Sequence, residues 1–195
     1  MTRIRMSDRP AAEGPPSDGR AFIAPPRQMP AVLRLGLRLA RRRTGSDLLP
    51  VALLTWSPRA AVGAAVLESL ATRPVGRIDA RVLKLVRLTV SFTVGCPFCV
   101  GLNTAGWESL LSPEELAVTQ GLRTGTDVAT LTPPELLAIE FARRTSQTSP
   151  TPSAALGEQL RGAFSEREIV VLAATCAQVN YWARLVQGMG CDLAD

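Results

Sequence analysis

Two cysteines one helical turn apart, Cys96 and Cys99, are the residues whose type and spacing best suit chemistry. They follow Gly95 and precede a run from Val100 to Leu111 that predicts a helix. Pro97 then lies in the first turn of that helix, where its missing N–H is tolerated. Because the N-terminus of a helix carries unsatisfied N–H groups and a partial positive charge, it stabilises a thiolate. The pair is therefore predicted to contain a nucleophile.

A second thiol at this spacing can close on a sulfenic acid or a mixed disulfide formed at the first. The result is a reversible two-electron couple that suits peroxide reduction or disulfide exchange. The expected substrate is a peroxide or a disulfide, and the expected electron donor is a thiol of unknown identity. The alternative is that both cysteines are small buried hydrophobic residues, since cysteine is among the most buried residue types.

The absence of histidine from the 195 residues excludes Ser-His-Asp and Cys-His nucleophile systems and every histidine-ligated metal site. A zinc site is not predicted, because Cys176 and Cys191 do not form a second close-spaced pair. Cys176 is expected in the core and Cys191 at the surface. No glycine-rich phosphate loop is present, so a nucleotide cofactor is not implied either. We therefore expect neither a metal nor a cofactor.

The elements around the cysteines are predicted to be helices. Hydrophobic residues make up 46% of the chain but aromatic residues only 5%, a composition typical of packed helices. Asp79 predicts the start of an apolar helix that ends at Gly95, and Ser57-Pro58 the start of a helix through Leu70. Capping-box patterns predict three further helix starts. They are Ser112 with Glu115, Thr132 with Glu135, and Ser165 with Glu168. We therefore expect an all-α, compact helical bundle.

Residues 1–28 are rich in Pro, Gly, Ser, Asp and Arg, which predicts a disordered or loosely draped arm before a single domain over residues 29–195. From Pro30 a short basic amphipathic helix is expected, docked on the domain or on a partner subunit, with attachment to a membrane surface as the alternative. The net charge of +5 lies mainly in the first 43 residues, without a nucleic-acid motif or stacking aromatics. We expect no nucleic-acid partner.

The sequence shows neither an export signal nor a long uncharged apolar stretch. We therefore predict no integral membrane association and a cytoplasmic location. In that reducing compartment the cysteines are expected to be thiols with chemistry rather than a disulfide framework. A thioredoxin fold is not expected, because the segment before Cys96 predicts a helix instead of a strand.

From about Leu48 to Gly190 the chain resembles the alkylhydroperoxidase D-like (carboxymuconolactone decarboxylase) family. The resemblance lies in an apolar helix followed by Gly-Cys-Pro-Phe-Cys-Val-Gly-Leu-Asn, then a Ser-Pro-Glu-Glu-Leu helix start. The later Ala-Phe-Ser-Glu-Arg-Glu-Ile-Val-Val-Leu and Asn-Tyr-Trp-Ala-Arg resemble the last long helix of that family. The resemblance implies an all-α homo-oligomer with peroxidase-type chemistry, in which peroxide attacks Cys99 and Cys96 resolves. The helix dipole alone would instead favour Cys96 as the nucleophile.

In members with peroxidase activity, a glutamate twelve residues before the first cysteine and a histidine four after the second relay protons to the thiols. Lys84 and Asn103 occupy these two positions here. Neither can act as a general base in the same way, because Asn does not titrate and Lys is normally a charged donor. They are candidate auxiliary residues: Lys84 through its charge, if it lies near the sulfurs, and Asn103 through a hydrogen bond to Cys99.

Two other functions remain open at this point. The absence of the relay glutamate and histidine also fits a catalytically degenerate scaffold or binding protein of the same fold. A non-redox, decarboxylase-like enzyme is the third possibility, although lactone decarboxylation in the wider family relies on histidine-type acid–base groups.

Overall fold

The computed structural model describes residues 21–44, 48–70 and 73–191. Within these ranges the protein is built from helices, with one isolated β-bridge between Val75 and Ile78. The helices are α1 Ala31–Thr44, α2 Leu49–Leu54, α3 Pro58–Leu70, α4 Ala80–Val94, α5 Pro97–Thr104, α6 Pro113–Thr119, α7 Pro133–Ser146, α8 Ala154–Ala163 and α9 Glu166–Gly188, with short 3₁₀ turns at Trp107–Ser109 and Gly125–Asp127. The predicted all-α bundle is confirmed.

Helix α4 lies at the centre of the bundle, in contact with α5, α6, α7 and α9. The carboxylate of Asp79 accepts the Val82 N–H at 2.9 Å and so caps its N-terminus, as predicted. The apolar residues of α4 are buried around most of its circumference against two clusters, one shared with α7, α8 and α9 and the other with α6 and α7. Because α4 is fixed on all sides, it carries the following cysteines to a defined place.

The three predicted capping boxes form, and their glutamates have a second role. Glu115 and Glu168 each accept a backbone N–H of their own cap at 2.7 Å, and Glu135 does so at 2.8 Å. The Arg81 guanidinium at the start of α4 donates to both Glu115 and Glu135 at 2.6 Å. The N–H of Arg77, just before α4, donates to Glu168. The beginning of α4 is thereby joined to the beginnings of α6, α7 and α9.

One predicted helix is wrong in its extent. The run from Val100 to Leu111 was expected to be helical throughout, but α5 ends at Thr104 and a 3₁₀ turn follows. Gly106 between them has φ +66°, a left-handed conformation that glycine adopts readily and that breaks the helix. The expected basic helix, in contrast, forms as α1.

Helix α1 docks on the domain by one face only. Leu37 is buried in a cluster with Leu48 and Ala52, against which Phe98 of α5 also packs. The opposite face exposes apolar side chains together with arginines. The exposed apolar residues of α1 are Val32, Leu35 and Leu39.

Helix α9 is long and apolar enough to cross a membrane by length and composition alone. Such a helix is weak grounds for a membrane span, because core helices share these properties. Leu172, Cys176 and Val179 of α9 are buried in the cluster that contains α4 and α7. Its apolar character therefore has a role in packing.

Residues 1–20 of the predicted arm lie outside the described residues, but residues 21–28 lie against the domain. Ala21 is buried, and the Phe22 N–H donates to Met189 O at 2.9 Å. The indole N–H of Trp56 donates to Ala24 O at 2.8 Å. This segment therefore contacts both the end of α9 and the turn between α2 and α3.

Deleting residues 1–28 should lower the melting temperature more than deleting residues 1–20. The longer deletion removes two hydrogen bonds and a buried contact, worth about 2 kcal/mol together, or roughly 4–8 °C for a domain of this size. The shorter deletion should change the melting temperature by less than about 2 °C, since its composition does not support packing. Calorimetry on both proteins tests this, and equal losses would contradict it.

Glu115→Gln should destabilise the fold by about 3 kcal/mol at neutral pH, because it breaks a buried ion pair on one side. Hydrogen bonding from Arg81 lowers the pKa of Glu115 from its ordinary 4.5 to about 2. Its charge-dependent stabilisation is therefore complete above pH 4.5 and is lost as the pH falls towards 2. Denaturant unfolding across this range should show the wild type converging on the variant. Glu114→Gln, at an exposed neighbouring carboxylate paired with Arg123, is the matched control and should unfold like the wild type throughout.

Candidate functional site

The cysteine pair is positioned by the turn that joins α4 to α5. Gly95 ends α4 with φ +63°, and its N–H and that of Cys96 bond to carbonyls of the last turn of α4. The backbone then becomes extended at Cys96, which is the N-cap of α5, with Pro97 as the first helical residue. Glycine suits the left-handed position because it has no Cβ to clash there. The predicted location of the pair at a helix start follows from this geometry.

The two sulfurs lie 2.7 Å apart, and the Cys96 sulfur also accepts the Cys99 N–H at 3.3 Å. A disulfide requires about 2.05 Å, so only a small movement separates the pair from bonding distance. The N–H bond and the helix N-terminus both favour negative charge on the Cys96 sulfur. The local arrangement can therefore hold a thiolate beside the sulfur it would attack.

Both sulfurs are enclosed. Cys96 is 0% and Cys99 2% exposed, in a cluster with Ala183 and Val186 of α9. Val94, Phe98, Trp182 and Cys191 pack around this cluster as partly buried residues. An open cavity of about 670 Å³ adjoins Val94, and its lining is rich in hydroxyl groups and includes Arg184. This polar cavity therefore lies next to a residue that packs on the cysteine cluster, while the sulfurs themselves are shielded.

Lys84 does not hydrogen-bond to the sulfurs. Its ammonium donates to Asn103 O and Ala105 O, both at 2.9 Å, at the C-terminal end of α5. Burial lowers the pKa of Lys84, with the Arg87 charge as a smaller cause in the same direction. A cation at this end of a helix satisfies the last carbonyls and opposes the helix dipole. Lys84 thus fastens the end of α5 that lies opposite Cys96.

Asn103 fastens the same helix to α4. Its amide donates to the Ser91 hydroxyl at 3.0 Å, and that hydroxyl donates to Arg87 O at 2.8 Å. The structure therefore brings Lys84 and Asn103 together with each other, through the carbonyl of Asn103. It records the Asn103 side chain on Ser91 and not on Cys99.

A carboxylate that no sequence motif indicated, that of Glu68 in α3, lies at the edge of the site. Glu68 accepts from the Trp182 indole N–H at 3.2 Å, from the buried amide of Gln178, and from Arg87 at 3.4 Å. Trp182 also packs against the cluster that contains Cys96 and Cys99, which places Glu68 at the edge of this cluster. The Gln178 amide oxygen is buried and, among the described residues, has no hydrogen-bond partner. A buried acceptor of this kind is normally hydrogen-bonded.

The remaining two cysteines differ in their surroundings. Cys176 is buried in the core as expected, and burial raises the pKa of its thiol to about 12, which makes it unreactive near neutral pH. Cys191 was expected simply at the surface, but it is half-buried and packs against the cluster that holds Cys96 and Cys99. The spacing of the cysteines in the sequence could not indicate this contact between Cys191 and the cluster, because it depends on the path of α9.

Among the described residues, no group of three or more Cys, Asp or Glu side chains is arranged to hold a metal ion. The site is best described by its thiols and by the polar layer of Glu68, Gln178, Trp182 and Arg87 beside them.

No protein-family model matches the sequence, and no curated protein does. Solved structures do resemble the fold. The debrominase Bmp8, in complex with 2,3,4-tribromopyrrole, is 15% identical with a TM-score of 0.73, over 89% of this chain and 91% of that one. A peroxidase-related protein from Silicibacter sp. TM1040 is 16% identical with a TM-score of 0.71, over the same shares of the two chains.

A third structure is described as an alkylhydroperoxidase AhpD core, a peroxidase-related protein from Ralstonia eutropha JMP134. It is 18% identical with a TM-score of 0.66, over 86% of this chain and 87% of that one. Identities this low compare folds and not activities. With its cysteine pair at the start of a helix that follows the central one, the chain has the alkylhydroperoxidase D-like fold that its sequence resembles.

Proposed function

We propose that this protein is a thiol-dependent oxidoreductase that uses Cys96 and Cys99 as a two-electron couple, with peroxides as the first class of substrate. The observation that carries the proposal is the 2.7 Å separation of two sulfurs at a helix N-terminus, one of them accepting a backbone N–H. A pair of purely structural cysteines does not require this polar arrangement. This arrangement suits two thiols that form a disulfide with each other.

The reaction balances with these groups. The Cys99 thiolate attacks one peroxide oxygen, the O–O bond breaks, and an alcohol or water leaves with the thiol proton while Cys99 becomes a sulfenic acid. Cys96 then attacks that sulfur as a thiolate, and the proton that its thiol gave up leaves with the hydroxyl group as water, so that a disulfide remains. A dithiol donor returns two electrons and two protons by exchange. The order, with Cys99 oxidised first and Cys96 second, follows the family resemblance. The hydrogen bond from the Cys99 N–H to the Cys96 sulfur favours a Cys96 thiolate for the second step.

Proton transfer in this scheme falls to Glu68. The positions of the family's relay hold Lys84 and Asn103, which bond to carbonyls and to Ser91. Glu68 is the carboxylate recorded against Trp182, which packs on the cysteine cluster. A carboxylate there can accept the thiol proton through water and return it to the leaving oxygen.

Reductive debromination is a second candidate reaction. It is favoured by the 0.73 TM-score to a debrominase over most of both chains. The same couple would serve it: the thiolate takes bromine from an aromatic carbon, the carbon gains a proton, and Cys96 displaces bromide to form the same disulfide. Peroxide and bromoarene thus lead to one oxidised state of this protein.

The family resemblance also implies a homo-oligomer, and the exposed apolar residues of α1 support this part of the proposal. Val32 is 81% exposed and Leu35 58%, which is costly for side chains of this type in water. The oligomer number is open, and light scattering on the full chain would give it.

Mild hydrogen peroxide should oxidise the wild type with loss of two thiols, and peptide mass spectrometry should find Cys96 and Cys99 linked, two hydrogens short. Cys99→Ser should consume no peroxide, whereas Cys176→Ala should behave as wild type because that thiol is buried and protonated. The same measurement with 2,3,4-tribromopyrrole and bromide detection tests the second reaction. Oxidation by neither compound would reject the redox proposal in favour of a binding scaffold.

Glu68→Gln should slow peroxide oxidation by about 10²-fold or more, since general-base assistance is typically worth about 10²–10⁴-fold. The amide keeps an acceptor for Trp182 and Gln178 but cannot take a proton. Glu68→Ala loses both properties and should be at least as slow. Stopped-flow rates over pH 5–9 are the measurement, with Glu158→Gln, at an exposed position of α8, as the control. A wild-type rate in Glu68→Gln but not in Glu68→Ala would show that Glu68 only positions Trp182.

A further inference from the structure

The burial of the cysteine pair creates a problem for its reduction. A thiol that reduces a disulfide must reach one sulfur directly, through a mixed disulfide with it. With Cys96 0% and Cys99 2% exposed, a dithiol donor, which must bring its own sulfur in line with one of them, has little access to either sulfur. Hydrogen peroxide is smaller and does not form such a mixed disulfide. Oxidation and reduction of this pair therefore call for different routes.

Cys191 is placed where a second route would begin. It follows the end of α9, where Gly190 has φ +69° and the Cys191 N–H bonds back to Val186 O at 3.1 Å. This reversal brings Cys191 against the cluster of Cys96, Cys99, Ala183 and Val186. It is more exposed than either member of the pair. One face of Cys191 thus meets the cysteine cluster while part of it meets solvent.

The reversal is also held from outside. The Phe22 ring lies against Gly190 so closely that a Cβ there would clash with it, and the Phe22 N–H bonds to Met189 O. A left-handed glycine under an aromatic ring tolerates no larger residue. Two contacts from the other end of the chain therefore fix the segment that carries Cys191.

We propose that Cys191 is a relay thiol, which passes reducing equivalents from an external dithiol to the buried Cys96–Cys99 disulfide. This inference rests on the proposed redox function of the pair. It adds a third cysteine and a route for the donor, neither of which the family resemblance supplies. The donor class is a dithiol, of a small molecule or a protein, that needs to reach only Cys191.

The exchange balances in three steps. The Cys191 thiolate attacks the Cys99 sulfur, the Cys96–Cys99 bond breaks, and Cys96 leaves as a thiolate. A donor thiolate then attacks the Cys191 sulfur and releases Cys99, and Cys96 and Cys99 each take up one of the two protons that the donor thiols give up. The second donor thiol closes on the first, so the donor becomes a disulfide and Cys191 is released. In total two electrons and two protons pass from the dithiol to the pair.

Attack on Cys99, and not on Cys96, follows from the geometry. The better leaving group in an exchange is the thiolate that is more stabilised. The Cys96 sulfur accepts the Cys99 N–H at the N-terminus of α5. Departure of Cys96 therefore places the new charge where the helix stabilises it.

The test forms the disulfide without peroxide, so that it does not depend on the peroxidase reaction. Diamide should oxidise the full-length protein to the Cys96–Cys99 disulfide, and the return of thiols with dithiothreitol is then followed by stopped flow. Cys191→Ser should be reduced about tenfold more slowly or worse, because direct attack on the buried sulfurs is all that remains. Cys176→Ala, which changes a buried thiol away from the pair, should match the wild type.

A second variant traps the intermediate. In Cys96→Ser, diamide should produce an intramolecular Cys99–Cys191 disulfide, identified by peptide mass spectrometry. Wild-type reduction rates in Cys191→Ser, together with only intermolecular bridges in Cys96→Ser, would overturn the relay and leave the redox function intact. A pair that diamide closes but peroxide does not would defeat the peroxidase proposal while the relay is still measured. Failure of diamide to close the pair would overturn both.

Discussion

The fold depends most on the charged groups at the start of α4. A single guanidinium, that of Arg81, binds Glu115 and Glu135, and the neighbouring Arg77 N–H binds Glu168. These glutamates are the capping residues of α6, α7 and α9, so one short segment sets where three other helices begin. Breaking a buried pair of this kind costs about 3–5 kcal/mol, a large part of the stability of an ordinary domain. The far end of α4, which leads to the cysteines, is aligned by the same constraint.

Enclosure of the cysteine pair has two opposite consequences. It keeps both sulfurs within reach of each other and of the helix N-terminus, which suits closure of the disulfide. It also restricts every partner that must touch a sulfur from outside. In the relay that we propose, the half-buried Cys191 at the end of α9, fixed by Phe22 through Gly190, relaxes the second restriction without exposing the pair. Such a site would combine residues that lie 95 positions apart along the chain.

Local signals in the sequence predicted most of the fold and the pair itself. Capping residues, the glycine after α4 and the C-x-x-C spacing act over a few residues, and the structure has helices where they indicated. The helix predicted from Val100 to Leu111 extends beyond the end of α5 at Thr104, because the apolar pattern of the sequence continues past Gly106. Glu68 and Cys191 could not be predicted as site residues. Glu68 contacts Gln178 and Trp182, which are more than a hundred residues away along the chain. Cys191 packs on the cluster of Cys96 and Cys99, which are more than ninety residues away, and in both cases the packing of α9 brings the residues together.

Lys84 and Asn103 occupy the two positions where the family resemblance would place a proton relay, and both make structural contacts there. The ammonium of Lys84 holds the last carbonyls of α5, and Asn103 ties that helix to Ser91. A glutamate at position 84 would direct a negative charge at two carbonyl oxygens and at the negative end of the helix, which is unfavourable in both respects. The two positions now stabilise the helix that presents the cysteines. The redox function that we propose therefore takes its proton transfer from another element, α3, whose Glu68 carboxylate accepts the Trp182 N–H.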